Sequence, residues 1–385
     1  MTRLIPDPDL EQLVRELNDS DDSVDTAPPP LAIAEGSLLE QLLVDMTQRD
    51  ASDLLLIAGN PPIMRIGGRL VRTEGAPLDT NEVASLFAPL LVRRVRAQLD
   101  ASGATDFSLR MTSRRFRVNV HRQRGTLAAA IRSLPTEIPT LQQLNLPSQL
   151  AELVKPTRGL VLVCGPTGSG KTTTLAALVG EINRNEQRHI VTIEDPIEYE
   201  HRNQKSVVEQ IEVGRDSPSF AEALRASLRQ DPDVILVGEM RDLETVATAL
   251  TAAETGHLIL STLHTSDAAQ AIHRIIDVFP PQQQNQIKQQ LALSLNAIVC
   301  QQLIPIRDSA ARAVAVEVLM ASYPVRNHIR NDKLQQLATE ITIAKRQGMI
   351  SLEDSLAQLV RQGQITIEDA RIRAPRPDEL DSLLR

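Results

Sequence analysis

The chain contains no tryptophan, two tyrosines and five phenylalanines in 385 residues. Proteins that hold single-stranded nucleic acid without sequence preference stack bases on aromatic platforms, so this scarcity argues against that class. Cysteine is equally scarce. Cys164 and Cys300 stand far apart with no C-x-x-C spacing, which excludes a disulfide framework and a cysteine zinc site and leaves both as small buried hydrophobes. No run approaches the roughly 18 uninterrupted apolar residues of a spanning helix. The opening "MTRLIPDPDLEQLV" is acidic where a signal peptide would be basic and then apolar. These absences make a soluble, cytoplasmic globular protein the expectation.

The net charge of −8 is unevenly placed. Residues 1–30 hold Asp7, Asp9, Glu11, Glu16, Asp19, Asp21, Asp22 and Asp25 against Arg3 and Arg15, so most of the excess lies there and the body is nearly neutral. "DLEQLVREL" reads as a short amphipathic helix. The "NDSDDSVDTAPPP" after it is too polar to bury a core. Residues 1–36 are therefore expected to be an acidic, largely disordered extension, with 18–30 a flexible linker.

From Ser37, "SLLEQLLVDMTQRD" has helical apolar spacing behind a serine cap, and "DLLLIAG" reads as a short strand. "PPIMRIGGRLV" predicts a hairpin turned at Gly67 and Gly68. After a helical stretch near 80–100, "RFRVNVHRQRGTLAAAIRSLP" alternates as two strands. Residues 37–135 are thus expected to form a small α+β domain. The proline- and turn-rich stretch 136–157 reads as a connector. Beyond it, "GLVLVCG", "HIVTIED", "DVILVGEM" and "HLILSTLH" alternate with helical stretches. Strands apolar on both faces belong to a parallel sheet between helices. Residues 158–280 are accordingly expected to be an α/β nucleotide-binding core, and 281–385 a helical region that includes "QQQNQIKQQLALSLNAIVCQQL".

Gly165-Pro166-Thr167-Gly168-Ser169-Gly170-Lys171-Thr172 fits G-x-x-x-x-G-K-[ST] without a mismatch. Glycines let the backbone turn tightly enough to aim its N–H groups at phosphate oxygens, and the following helix presents its positive end there. Lys171 is expected on the β- and γ-phosphates of ATP and the Thr172 hydroxyl on Mg²⁺, with Thr173 completing the cradle. Carboxylates must then position the metal and the attacking water. "DPDVILVGEMRD" delivers Glu239 at the end of a buried strand, as the water-activating residue and a metal-side carboxylate. "IEDPIEY" offers Glu194, Asp195 and Glu198 for metal or water positioning, or as caps of the next turn. His257 and His264 flank another strand, as phosphate sensors or as structural histidines.

Arg110, Arg114, Arg115, Arg117, Arg122, Arg124 and Arg132 occur with no acid between Phe107 and Arg132. Such a strip is a solvated face, a nucleic-acid patch, or a set of guanidinium groups that reach a triphosphate held by a neighbouring subunit. The strip alone does not choose.

"ASDLLLIAGNPP", "RFRVN", "GPTGSGKTTTLAA", "TIEDPIEY", "ALRASLRQDPDVILVGEMRDLET", "LTAAETGHLILSTLHT" and "RIIDVFP" together resemble the PilT-like twitching-motility ATPases, retraction motors of type IV pili within the type II/IV secretion ATPase superfamily. The resemblance runs from about Ser37 to the C-terminal helices. It implies a PAS-like N-terminal domain, a RecA-like P-loop domain, and a homohexamer with ATP between subunits. It places Arg117 and Arg132, with Arg124 behind them, where the family's arginines reach the phosphates, and Glu239 at the Walker B glutamate. The implied partners are an inner-membrane platform protein, the pilin machinery and a paralogous retraction ATPase. No nucleic acid is expected, and the implied place is the cytoplasmic base of the pilus machine. Assembly and type II secretion ATPases of the superfamily usually carry a four-cysteine metal site, which two isolated cysteines do not supply. "PVRNHIRNDK" is similar to a segment associated with retraction, with Pro324 and His328 replacing alanine and leucine. Leu55 stands where related chains carry histidine. "LSLNAIVCQQLIP" and "QGMISLEDSLAQL" are closer to the accessory PilU-like branch.

Overall fold

The structure, a computed structural model, describes residue 33 and residues 36–111, 114–307 and 311–385. The helix and linker expected within residues 1–30 lie outside the described residues. The described chain parts into two compact units, one ending at Glu137 and the other running Ile138–Arg385.

In the first unit, helix α1 (Leu38–Gln48) starts at Ser37, whose hydroxyl accepts from the Glu40 amide, and buries Leu39, Leu42, Leu43 and Met46. Strands β1 (Asp53–Ile57), β2 (Ile63–Ile66) and β3 (Arg69–Arg72) follow. The β2–β3 hairpin turns at Gly67 and Gly68, with φ of 55° and 81°. Two consecutive positive φ angles match the right-handed twist of the flanking strands, which is why glycine occupies both places. Helices α2 (Thr80–Phe87), closed by an Asp79–Glu82 capping box, and α3 (Arg93–Ser102) make up the expected helical stretch. Strands β4 (Ala104–Met111), β5 (Arg114–Gln123) and β6 (Thr126–Ser133) complete an antiparallel sheet of order β3-β2-β1-β6-β5-β4. Alternate residues Leu54, Leu56, Phe116, Val118, Val120 and Ile131 pack against the helices. Asp53, Arg117, Asn119 and Arg132 therefore point from the opposite face, as the two-residue period of a strand requires. This is the PAS-like α+β architecture, with β4 as a strand beyond those expected.

The second unit is built on seven strands: β7 (Gly159–Cys164), β8 (His189–Glu194), β9 (Val207–Glu212), β10 (Val234–Val237), β11 (Leu258–Leu263), β12 (Leu295–Pro305) and β13 (Arg312–Met320). Their order is β13-β12-β7-β11-β10-β8-β9, parallel throughout except for β13. Every residue of β7, β10 and β11 is buried, as the continuous apolar runs required. One face packs helix α4 (Lys171–Asn185) together with Leu141, Leu146, Leu150, Leu153 and Val154 from the stretch expected as a connector. The other face packs α5 (Phe220–Ser227), α6 (Leu243–Thr255), α7 (Ala268–Asp277) and α8 (Pro281–Ser294). This is the RecA-like P-loop fold.

The C-terminal region corrects one expectation. Helices Tyr323–Arg330, Leu337–Ile343, Leu352–Arg361, Ile367–Arg373 and Pro377–Leu384 are present, but "LNAIVCQQLIP" is strand β12, paired with β7 on one side and β13 on the other. A strand buried on both faces has no polar alternation to separate it from a buried helix. β-branched Ile298 and Val299 and the vacant edge beside β7 decide the outcome.

Glu317 on β13 accepts the Ala268 amide at 3.0 Å, at the start of α7. Burial pushes its carboxyl up to about 7, against the lowering effect of that bond. Folded chains then bind a proton that unfolded chains have released, so this stabilisation is complete below about pH 4.5 and is lost as pH rises to 7. Glu317→Gln, which retains an acceptor for Ala268, should therefore raise the melting temperature at pH 8 and change it little at pH 4.5. The difference is on the order of 3 kcal/mol at most. Thermal unfolding at the two pH values checks it, and an equal shift at both would contradict it.

Candidate nucleotide site

The loop from Gly165 to Gly170 joins β7 to α4. Gly165, Gly168 and Gly170 have φ of 146°, 77° and 87°, in the region that disfavours side chains. A Cβ on Gly165 would lie 2.4 Å from the Gln301 carbonyl oxygen and 2.5 Å from Ser169 Oγ. Helix α4 begins at Gly170 with no side-chain cap, whereas Ser219, Asp242 and Asp267 cap α5, α6 and α7 through their side chains. The first amides of α4 are thus left for an external anion, and the helix dipole favours one. Ser169 Oγ is buried without a hydrogen-bond partner in the protein. These features fit a phosphate chain laid over the loop.

Lys171 Nζ donates to the carbonyls of Gly165 at 2.9 Å and Pro166 at 3.1 Å and contacts His264 Nδ1 at 3.3 Å. Burial lowers the Lys171 pKa. The His264 pKa is also lowered, by burial first and then by the Lys171 charge, which favours a neutral imidazole that accepts from the ammonium at Nδ1. On its other side, His264 Nε2 lies 3.9 Å from Glu239 Oε2. Lys171, His264 and Glu239 thus converge from the loop, the end of β11 and the end of β10. This is the carboxyl edge of the sheet, where open α/β sheets bind ligands.

Glu239 follows Gly238, whose amide donates to the Ile193 carbonyl at 2.8 Å. A Cβ there would sit 3.1 Å from that oxygen, so glycine permits the close approach that lets Glu239 emerge beside the loop. Arg241 Nη2 pairs with Glu239 at 2.7 Å. At the end of β8, Glu194 is buried and accepts from Thr192 Oγ1 at 2.8 Å and Gln210 Nε2 at 3.2 Å. Burial outweighs both bonds and pushes its carboxyl up to about 7, within the range where a carboxyl exchanges protons at neutral pH. Asp195 is exposed and Glu198 half-buried on the following loop. Buried Tyr199 fixes that loop to α4, its hydroxyl 3.0 Å from Thr173 Oγ1.

A second tie comes from far along the chain. Gln301 on β12, 1% exposed, donates from Nε2 to the Ser169 carbonyl at 2.5 Å and accepts from Thr174 Oγ1 at 2.9 Å. It grips the loop and the first turn of α4 from beneath. Gln301, Tyr199, Thr192, Gln210 and Arg241 are not among the site residues the sequence predicts. For Tyr199 a signal existed, as one of two tyrosines at the end of an acidic string. For Gln301 none did, since its role depends on the β7–β12 pairing.

The structure does not bring every expected residue to this edge. His257 lies at the opposite end of β11, with Nδ1 3.2 Å from the Ala252 carbonyl at the end of α6. Six strand residues separate it from His264, roughly 20 Å. Arg117 and Arg132 belong to the first unit, paired across β5 and β6. Arg117 Nε donates to Asp106 at 3.3 Å and Arg132 Nε to Asp53 at 2.8 Å. Arg124 sits at the β5–β6 turn with φ of 49°, and Arg122 pairs with Asp100.

Comparison with known proteins agrees with this geometry. Residues 105–372 match the family described as type II/IV secretion system protein. The chain is 42% identical over 341 residues to the type IV pilus retraction ATPase PilT of Pseudomonas aeruginosa, covering 88% of this chain and 99% of that protein. It is 40% identical over 345 residues to the type IV pilus ATPase PilU of the same organism, covering 89% and 92%. A crystal structure of the pilus retraction motor PilT with bound ADP superposes with a TM-score of 0.83 at 45% identity, covering 90% of this chain and all of that one. Among the described residues no helix is long and apolar enough to cross a membrane. A P-loop built to hold a nucleotide, two carboxylate-bearing strand ends beside it, and this likeness along nearly the whole chain place the protein in the type II/IV secretion ATPase family, among its PilT-like members.

Proposed function

We propose that the chain is a homohexameric ATP-hydrolysing motor that drives type IV pilus retraction from the cytoplasmic face of the inner membrane. It would act on a platform protein and the pilin machinery. The observation that carries this reading is the convergence of Lys171, His264 and Glu239 over an uncapped helix start, in a chain that matches a retraction ATPase over 88% of its length.

Lys171 and the amides of Gly168–Thr173 hold the β- and γ-phosphates. Mg²⁺ would be held by the Thr172 hydroxyl with Asp195 and Glu239, and would neutralise charge developing on the phosphates. Among the described residues no cluster of three His, Cys, Asp or Glu side chains could hold a metal. A nucleotide-borne Mg²⁺ keeps several waters and needs only one or two protein carboxylates, so the donor set fits it. Glu239 accepts the proton of the attacking water, while Glu194 and Glu198 order the acidic loop beside it. His264 reports the γ-phosphate to β11, and His257 lies at that strand's far end. Arg117 and Arg132 reach the phosphates from the adjoining protomer.

The test is twofold. Purified protein with ATP and Mg²⁺ should assemble into rings and hydrolyse ATP, and the gene should restore twitching to a strain lacking its retraction ATPase. Protein that stays monomeric under those conditions, or that turns over equally fast when diluted to single subunits, would overturn the motor reading. The tail strings shared with the PilU-like branch favour a second reading, an accessory retraction ATPase. It is recognised by ring assembly and hydrolysis without rescue of that strain.

A further inference from the structure

On the open face of the first unit's sheet, registered neighbours on five adjacent strands form one row: Arg65, Asp53, Arg132, Arg117 and Ser108. Two guanidinium groups, Arg132 and Arg117, stand directly opposite each other across β6 and β5, where like charges repel. Asp53 lies beside them as the counter-charge. Its side chain is 14% exposed against 66% for Arg132. Its carboxylate accepts from Arg132 Nε at 2.8 Å and Ser52 Oγ at 2.8 Å and lies 3.4 Å from Arg65 Nε. The acid is thus held from three sides while the arginine it holds reaches outward. Asp106, more exposed than Asp53, accepts from Arg117 Nε at 3.3 Å and from Asn119 Nδ2 at 3.0 Å. Asp53, Asp106, Asn119 and both arginines line a single cleft of about 240 Å³.

The point of contact is informative. A guanidinium has five N–H donors, one on Nε and four on its terminal nitrogens. Each carboxylate is bonded at Nε, so the four remaining donors sit on the terminal nitrogens, a fork suited to bidentate phosphate recognition. An exposed ion pair on a sheet contributes little to stability. What such a pair fixes is direction.

We infer that Asp53 is a positioning residue for the motor's hydrolysis step: it orients Arg132 toward the triphosphate of the adjoining protomer and holds two like-charged guanidinium groups together. Asp106 does the same for Arg117. The inference rests on the reading of Arg132 given above. It predicts that the aspartate acts only through the arginine, and that it affects turnover more than nucleotide capture.

The experiment measures kcat and KM for ATP on full-length, ring-forming protein: wild type, Asp53→Asn, Arg132→Ala and the double variant. Asp53→Asn should lower kcat about tenfold with KM within about twofold of wild type, the signature of an interaction made in the transition state. In the Arg132→Ala background the same change should have no further effect. Asp53→Glu, which keeps the carboxylate, should recover part of the loss. If Asp53→Asn leaves kcat unchanged while Arg132→Ala lowers it, the positioning role is wrong and the arginine assignment stands. If Arg132→Ala leaves kcat unchanged, the arginine assignment falls first. Losses that multiply in the double variant would mean that Asp53 acts elsewhere and would also overturn the inference. Should Asp53→Asn fail to fold, Arg132→Lys reads the same point, since lysine keeps the charge and lacks an Nε edge to be held. It should behave as Arg132→Ala does, and wild-type kcat in it would refute an oriented fork.

Discussion

Replacing Glu239 by glutamine should lower kcat for ATP hydrolysis by about two to four orders of magnitude, the range associated with loss of a positioned general base. Nucleotide affinity should change little. The amide matches the carboxylate in size, so Gly238 can still approach Ile193 and Arg241 can still donate to the side-chain oxygen. The proton acceptor is lost, and the charge of one of the two carboxylates assigned to Mg²⁺ goes with it, while Thr172 and Asp195 remain. The contacts that capture the nucleotide come instead from Lys171 and the loop amides, on a different strand end. Steady-state turnover and equilibrium binding of a fluorescent ATP analogue separate the two effects. A variant that binds and hydrolyses as wild type would move the base elsewhere. Glu194 is the first alternative, because burial holds its carboxyl at about 7, and it would then impose a rise in activity through that pH.

Gly165→Ala should weaken nucleotide binding by more than about a hundredfold, because its effect is on shape and the nearest atom it meets is backbone that cannot turn aside as a side chain can. The added Cβ meets backbone, the Gln301 carbonyl oxygen at 2.4 Å, as well as Ser169 Oγ at 2.5 Å. The φ of 146° adds strain on the order of 1–3 kcal/mol. Either β7 separates from β12 or the loop opens, and both outcomes displace the amides that face the phosphates. Gly168→Ala is the matched comparison. Its φ of 77° carries similar strain, but its Cβ meets nothing within 4 Å, so it should retain much of the binding. The analogue titration checks both, with a thermal melt to record the fold. Equal binding by the two variants would show that the close approach to Gln301 is unimportant.

How much of this was legible beforehand differs by element. The loop, α4 and the strands that carry Glu194, Glu239 and the two histidines follow from uninterrupted apolar runs and from glycines at fixed spacing, and both signals are local. Strand β9, "VVEQIE", went unread because it lies at the sheet edge, half-buried and carrying two glutamates. Strand β12 reads as helix in the sequence because a run buried on both faces has no period to read. The convergence of His264 with Lys171, set against the remoteness of His257, follows from chain direction, since β11 runs parallel to β7 and only its carboxyl end lies at the ligand edge. Asp53 had no signal of its own. It became meaningful only once the register set it against Arg132, 79 residues away.

The grip of Gln301 on Ser169 has a consequence for biosynthesis. A ribosome releases the entire glycine loop, its lysine and its helix more than a hundred residues before the glutamine that braces them emerges. Through that interval the growing polypeptide carries an ATP-binding signature without the means to keep it in shape. Competence for fuel thus arrives late in translation, and a product cut short ahead of β12 would display the motif and remain inert.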